Sequence, residues 1–176
     1  MRRLLAWWEQ ARGDRAMPSR TDFDPARLRD LLPDLILVGV APGRAPGEHV
    51  FQYRLTGTEI DAALGINLTG TTLDAAPFGC ETETIRQQYE TVVTESRPLI
   101  CAHKLTVASR RYVEYQRLAV PLAAPDGSVA ALLCLVDFKC AFTAERGRPA
   151  DCPGPARCWL PCLDGRSRGV RPQFLD

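Results

Sequence analysis

Apolar residues recur along the chain with two periods, and the switches between them lay out the elements. Leu4, Leu5, Trp7, Trp8 and Ala11 follow helical spacing up to Gly13, which predicts a short amphipathic helix ending near that glycine. Asp24 then offers a side-chain cap ahead of Pro25, a residue suited to the first helical position, and a second helix of about two turns continues through residues 27–32 until Pro33 stops it. Residues 35–40 form a short, nearly continuous apolar run. After the Pro- and Gly-rich loop 41–47, residues 49–55 alternate, with Phe51, Tyr53 and Leu55 on one face and Gln52 and Arg54 on the other. Two antiparallel strands are predicted. Thr58 and Asp61 make a capping-box-like pair that starts a short helix, and Gly65 ends it. Residues 66–80 carry little period and hold the turn formers Gly70, Pro77 and Gly79.

Residues 81–96 give the clearest helical pattern. Ile85, Tyr89, Val92, Val93 and Ser96 share a face, Glu81 and Glu83 sit at the positive N-terminal end, and Arg97 and Pro98 stop the element. Three strands follow at residues 99–108, 112–122 and 129–138, joined by Ser109-Arg110-Arg111 and by a turn containing Asp126-Gly127. Residues 129–136 are apolar on both faces, so this strand is predicted to be central and covered on both sides. Short turns require antiparallel pairing within each strand group. Burying the first strand requires it to pair with the last. The expected fold is α+β: a five-stranded antiparallel sheet with helices on one face, preceded by N-terminal helices.

Composition narrows the function. The chain has 176 residues, and 22 Lys plus Arg against 21 Asp plus Glu leave a formal charge of +1. Phosphate affinity comes from clustered cations, so this balance argues against nucleic acid as a partner. No stretch approaches the ~20 apolar residues of a membrane helix, and the run after Arg2-Arg3 is too short for a signal peptide. A cytoplasmic protein without membrane partners is expected. Seven cysteines do not make an even disulfide framework, so free thiols are expected. Residues 141–176 hold nine of the 27 glycines and prolines, six arginines and few aliphatic residues, a composition that suits a disordered tail. The expected organisation is therefore an N-terminal helical extension at 1–34, a domain at 35–140 and the Cys-containing tail.

Several short segments carry a family resemblance. They are Trp7-Trp8-Glu9, Arg12-Gly13, Pro18-Ser19-Arg20, Phe23-Asp24-Pro25, Leu31-Leu32-Pro33, the run Tyr53-Arg54-Leu55-Thr56-Gly57-Thr58, and Gly65-Ile66-Asn67-Leu68-Thr69-Gly70. In this order and spacing, over roughly residues 5–140, the chain resembles the small stand-alone PAS-like proteins of alphaproteobacteria. The resemblance implies a PAS fold, a cytosolic location and a role in sensing or protein interaction. It leaves ligand and partner open, and it does not extend to the tail.

Each chemical reading competes with a structural one. Cys140, Cys152, Cys158 and Cys162 could offer four thiolates to zinc, but with eleven, five and three intervening residues only the last spacing fits a zinc knuckle. The chain has two histidines. His49, beside the Pro- and Gly-rich loop, reads as a solvated edge residue. His103 shares a strand face with Cys101, Leu105 and Val107 and reads as a core or pocket residue. No phosphate-binding loop or dinucleotide fingerprint occurs. Haem is disfavoured because residues 81–96 contain no axial histidine. Flavin is disfavoured because Phe78-Gly79-Cys80-Glu81 does not match the signature around the reactive cysteine of flavin photosensors. The tail is too short and polar for an output domain, so a signal is expected to pass to a separate protein.

The expected function is a non-catalytic sensory or interaction module, with a small ligand held between sheet and helices. The alternative is a metal protein or enzyme using His103 or the Cys-rich tail, and a third reading is a plain dimerisation module. Ligand candidates are Tyr53, Tyr89, Cys101, His103, Tyr115 and Arg117. If His103 and Arg117 both face inward, their donors suit a small carboxylate or other polar ligand. Leu4, Leu5, Trp7 and Trp8 are expected either to pack on the sheet of their own chain or to mediate a homodimer.

Overall fold

The apolar run and the alternating run form β1 (Leu35–Pro42) and β2 (His49–Thr56), and the C-terminal runs form β3 (Leu99–Val107), β4 (Arg111–Ala123) and β5 (Val129–Phe142). The computed structural model describes residues 1–107, 111–142 and 173–174, with the backbone alone at 103–107, 111–114, 139–142 and 173–174. A two-residue β6 (Gln173–Phe174) completes the sheet, whose order is β2-β1-β5-β4-β3-β6 with all pairs antiparallel. Of the expected tail, 141–142 extend β5 and 173–174 pair with Leu99 and Ile100. The rest of the tail, and the turn at Ser109 and Arg110, lie outside the described residues.

Burial dictates the strand order. β5 lies between β1 and β4, and Ala131 through Val136 are all buried, as expected of a strand apolar on both faces. Ile36 opposite Cys134, and Arg117 opposite both Val136 and Cys101, put these four strands' side chains on one face. Leu37 opposite Leu133, and Leu118 opposite Leu135, define the other face.

Besides the helix expected at 27–32, which is a 3-10 segment, Pro25–Asp34, that runs through Pro33 instead of stopping there, two expectations need correction. The sequence pattern puts Leu55 on the face of Phe51 and Tyr53. In the register, however, Val38 meets Tyr53 while Leu37 meets Leu55, so Arg54 is the extra residue of a β-bulge. The bulge reverses the alternation: Phe51 and Tyr53 are buried, and Leu55 turns to the opposite face, half-buried. The second correction concerns α2 (Thr58–Leu64), which is capped by Gly57 and not by Thr58. Gly57 donates its N–H to the Leu35 carbonyl at 2.8 Å, and a Cβ there would lie 2.1 Å from the Pro33 carbonyl oxygen. The close approach of the 3-10 segment Pro25–Asp34 therefore fixes the turn one residue early. Gly65 ends α2 in the left-handed region, as expected.

α1 (Arg2–Arg12) docks where β4 outruns β3. Pairing of β3 stops at Ala119, which leaves residues 120–123 of β4 with an open edge. Pro121 is tolerated there because no partner strand needs its missing N–H. The N-terminal segment takes over that edge: Trp8 Nε1 donates to the Pro121 carbonyl at 2.8 Å and Ala123 N–H donates to the Pro18 carbonyl at 2.7 Å. Leu4 and Trp8 are buried within this chain, and Leu5 and Trp7 are half-buried, with Trp7 edge-on to Phe23.

α3 (Glu81–Glu95) runs over the Arg117 face with Ile85, Tyr89 and Val92 buried. Ser96 closes it in the left-handed region and donates its N–H to the Val92 carbonyl. The aperiodic stretch 66–80 has a definite job: Gly70, Thr71 and Leu73 exchange backbone hydrogen bonds with Phe51 and Tyr53, so this segment covers the free edge of β2.

Candidate functional site

Between the sheet and the helices lies a cavity of about 30 Å³, lined by Ile36, Tyr53, Tyr115, Arg117, Val136 and Phe138 from the strands, Ile60 and Leu64 from α2, Ile85 and Tyr89 from α3, and Leu68 and Phe78 from the connecting stretch. That is room for about two waters. Apart from the tyrosine hydroxyls, the polar group in this lining is the Arg117 guanidinium, on a residue only 4% exposed.

Arg117 is tied to α3. Its Nη1 donates to the Tyr89 hydroxyl at 3.2 Å, its Nη2 donates to Gln88 Oε1 at 2.6 Å, and its Cζ stands 4.5 Å from the centre of the Tyr89 ring. The ring face and the two acceptors stabilise the cation. Among the described residues, however, no carboxylate pairs with it. Two of its five donors are used by described residues, so among those residues its positive charge and its other donors are unmatched.

The neighbours do not neutralise that charge. Burial opposes ionisation of Arg117, but the net direction is upward and a guanidinium is intrinsically too basic to lose its proton at neutral pH, so the group is a cation there. Burial pushes the hydroxyls of Tyr53, Tyr89 and Tyr115 up and the Cys101 thiol up, and it raises the Cys134 thiol to about 11. All five are neutral at pH 7.

The candidates named from the sequence thus separate. Tyr53, Tyr89, Tyr115 and Arg117 line the cavity; Cys101 is buried opposite Arg117 but is not part of the lining. His103 stands opposite Tyr115 in the register, and its side chain lies outside the described residues. Cys152, Cys158 and Cys162 also lie outside them, and the side chain of Cys140 is not described. Among the described residues, no cluster of three or more His, Cys, Asp or Glu could hold a metal. His49 is not a free edge residue: its Nδ1 lies 2.6 Å from Glu90 Oε2 and links the start of β2 to α3.

Gln88, Phe78 and Leu68 were not foreseen. Gln88 is a polar residue flanking the apolar stripe of its helix, and Phe78 and Leu68 come from a stretch without period, so their only signal was the apolar residue type.

α3 presents Ile85 and Tyr89 to the cavity, neither of which is a histidine, and Cys80 is exposed and not in the lining.

A profile of the PAS domain family matches residues 1–136. The chain belongs to the PAS domain family. Among solved structures, it is similar to VqmA bound to DPO, at 11% identity and a TM-score of 0.49, over 64% of this chain and 55% of that one. It is also similar to a Rhodobacter sphaeroides LOV protein (13% identity, TM-score 0.47, 66% and 69% of the two chains). A third match is the PAS domain of Bordetella pertussis BvgS (15% identity, TM-score 0.46, 64% and 84%). No curated protein matches. The residues that carried the resemblance are partly scaffold in this PAS domain: Asp61 accepts from Thr56 Oγ1 at 2.8 Å and from Asn67 Nδ2 at 2.5 Å, which binds the two motif segments together.

Proposed function

We propose that this chain is a non-catalytic PAS sensory module whose cavity takes a small molecule and whose α3 passes the occupancy to a separate protein. The observation that carries this reading is the buried Arg117, which stands in the cavity and is held by two consecutive residues of α3, Gln88 and Tyr89. A group that binds in the cavity must compete for, or share, the donors that hold the helix. Occupancy and helix packing are thereby coupled, which is what a population shift between two packings requires.

The small cavity volume favours a second reading, an interaction module with a core filled by its own side chains. Native mass spectrometry of the freshly purified full chain separates the two. A co-purifying organic molecule, released on unfolding, is expected for the sensor. A chain free of any adduct, with no thermal response to a metabolite panel, would support the interaction module, and bound zinc would support a metal protein.

A further inference from the structure

We propose that the molecule taken by this cavity is a small monocarboxylate of two or three carbons, whose charge pairs with Arg117 in competition with Gln88. The inference rests on the sensory reading and specifies its ligand class.

Three observations lead to it. A buried guanidinium that has no carboxylate partner among the described residues has lost its hydration and gained only neutral acceptors, and an anion is the species that best restores the balance. Every other group within the lining is neutral: Tyr53, Tyr89 and Tyr115 are phenols, and the rest are aliphatic or phenyl side chains. One negative charge therefore matches the site, whereas a dianion would leave a charge unpaired in an apolar wall. The third observation is size. About 30 Å³, room for about two waters, limits the guest to a few heavy atoms: acetate is at the limit, propionate needs Ile36, Ile60 and Val136 to give way, and a sugar, nucleotide or aromatic ring is too large.

Competition follows from the donors. Gln88 is half-buried and is not part of the cavity lining, so its 2.6 Å bond to Nη2 draws one side of the fork away from the cavity. A carboxylate, a stronger acceptor than a neutral amide, draws the fork back and frees Gln88. α3 would then have one polar link fewer to the rest of the fold, with Arg117–Tyr89, His49–Glu90 and Arg86–Asp74 remaining among the described residues.

The test is a titration of the full chain, stripped of any bound molecule by unfolding and refolding, with sodium acetate and sodium propionate. It is read by calorimetry and by the amide spectrum of isotopically labelled protein, with sodium chloride, acetamide and propionamide as controls. Acetate and propionate are expected to shift signals of α3 and of β4 near Arg117, with the amides binding at least tenfold more weakly and chloride failing to reproduce the effect. Arg117→Gln is expected to weaken carboxylate binding at least tenfold. Should that variant fail to fold, Gln88→Ala carries the test, with severalfold tighter binding expected because the competing acceptor is gone.

Equal binding of acetate and acetamide, equal effects of chloride and acetate, or unchanged affinity in Gln88→Ala would overturn the proposal. A neutral molecule that co-purifies and is not displaced by acetate would overturn the carboxylate class while the sensory reading stands. The lack of both an adduct and any response would remove both.

Discussion

A thiol such as that of Cys134 shows what the environment of Arg117 does to ionisable groups nearby. Cys134 is fully buried, and burial moves its thiol from 9.0 to about 11. The folded state therefore keeps this proton to higher pH than the unfolded chain does. The resulting stabilisation is complete below pH 9 and is lost as the pH rises through about 11. Two units correspond to a contribution on the order of 3 kcal/mol, at about 1.4 kcal/mol per unit. Tyr53, Tyr89 and Tyr115, shifted in the same direction, steepen the alkaline decline. Thermal melting between pH 8 and pH 11 should show falling stability, with a shallower slope in Cys134→Ala despite that variant's lower starting stability. Identical slopes would contradict this assignment. Cys80 is exposed and provides an internal contrast for alkylation, since it should label in the native chain while Cys134 and Cys101 are protected.

At the scale of elements, the N-terminal segment acts as the partner that β4 lacks beyond Ala119. Trp8→Phe removes the indole donor and strands the Pro121 carbonyl, a loss of about 1–3 kcal/mol. Trp7→Phe keeps the edge contact to Phe23 and should cost less in the same denaturant titration. Equal losses would show that the hydrogen bond to β4 contributes nothing specific. The elements themselves were legible from the sequence because their periods are undiluted. Ile85, Tyr89 and Val92 marked α3, and the unbroken run at 131–136 marked the central strand. What escaped was set by contacts between elements. The β-bulge at Arg54 depends on how β2 meets β1, and no local pattern marks the residue that reverses the alternation. The cap at Gly57 is fixed by the Pro33 carbonyl, 24 positions earlier in the chain. Tyr53, Tyr89 and Arg117 could be named as candidates from fold and residue type, but that Arg117 faces inward depends on sheet register, which sequence alone leaves open.

On the scale of the whole molecule, the proposed sensory function takes the sheet as its platform and α3 as the element that reports on the cavity. Among the described residues, the polar links from α3 to the rest of the fold include Arg117 to Gln88 and Tyr89, His49 to Glu90, and Arg86 to Asp74. Its buried stripe of Ile85, Tyr89 and Val92 lies against the same face that forms the cavity floor. Packing and occupancy therefore share one surface, and no second domain is needed for the cavity to affect the helix. The measurement that tests this most directly is amide hydrogen exchange across residues 81–95, comparing the natively purified full chain with the same chain stripped by unfolding and refolding. A sensory module should show a change in exchange confined to α3 and the strands beneath it, reversed when the released molecule is added back. Identical exchange in the two samples, with no molecule released, would contradict the sensory function and leave a core packed only by its own side chains.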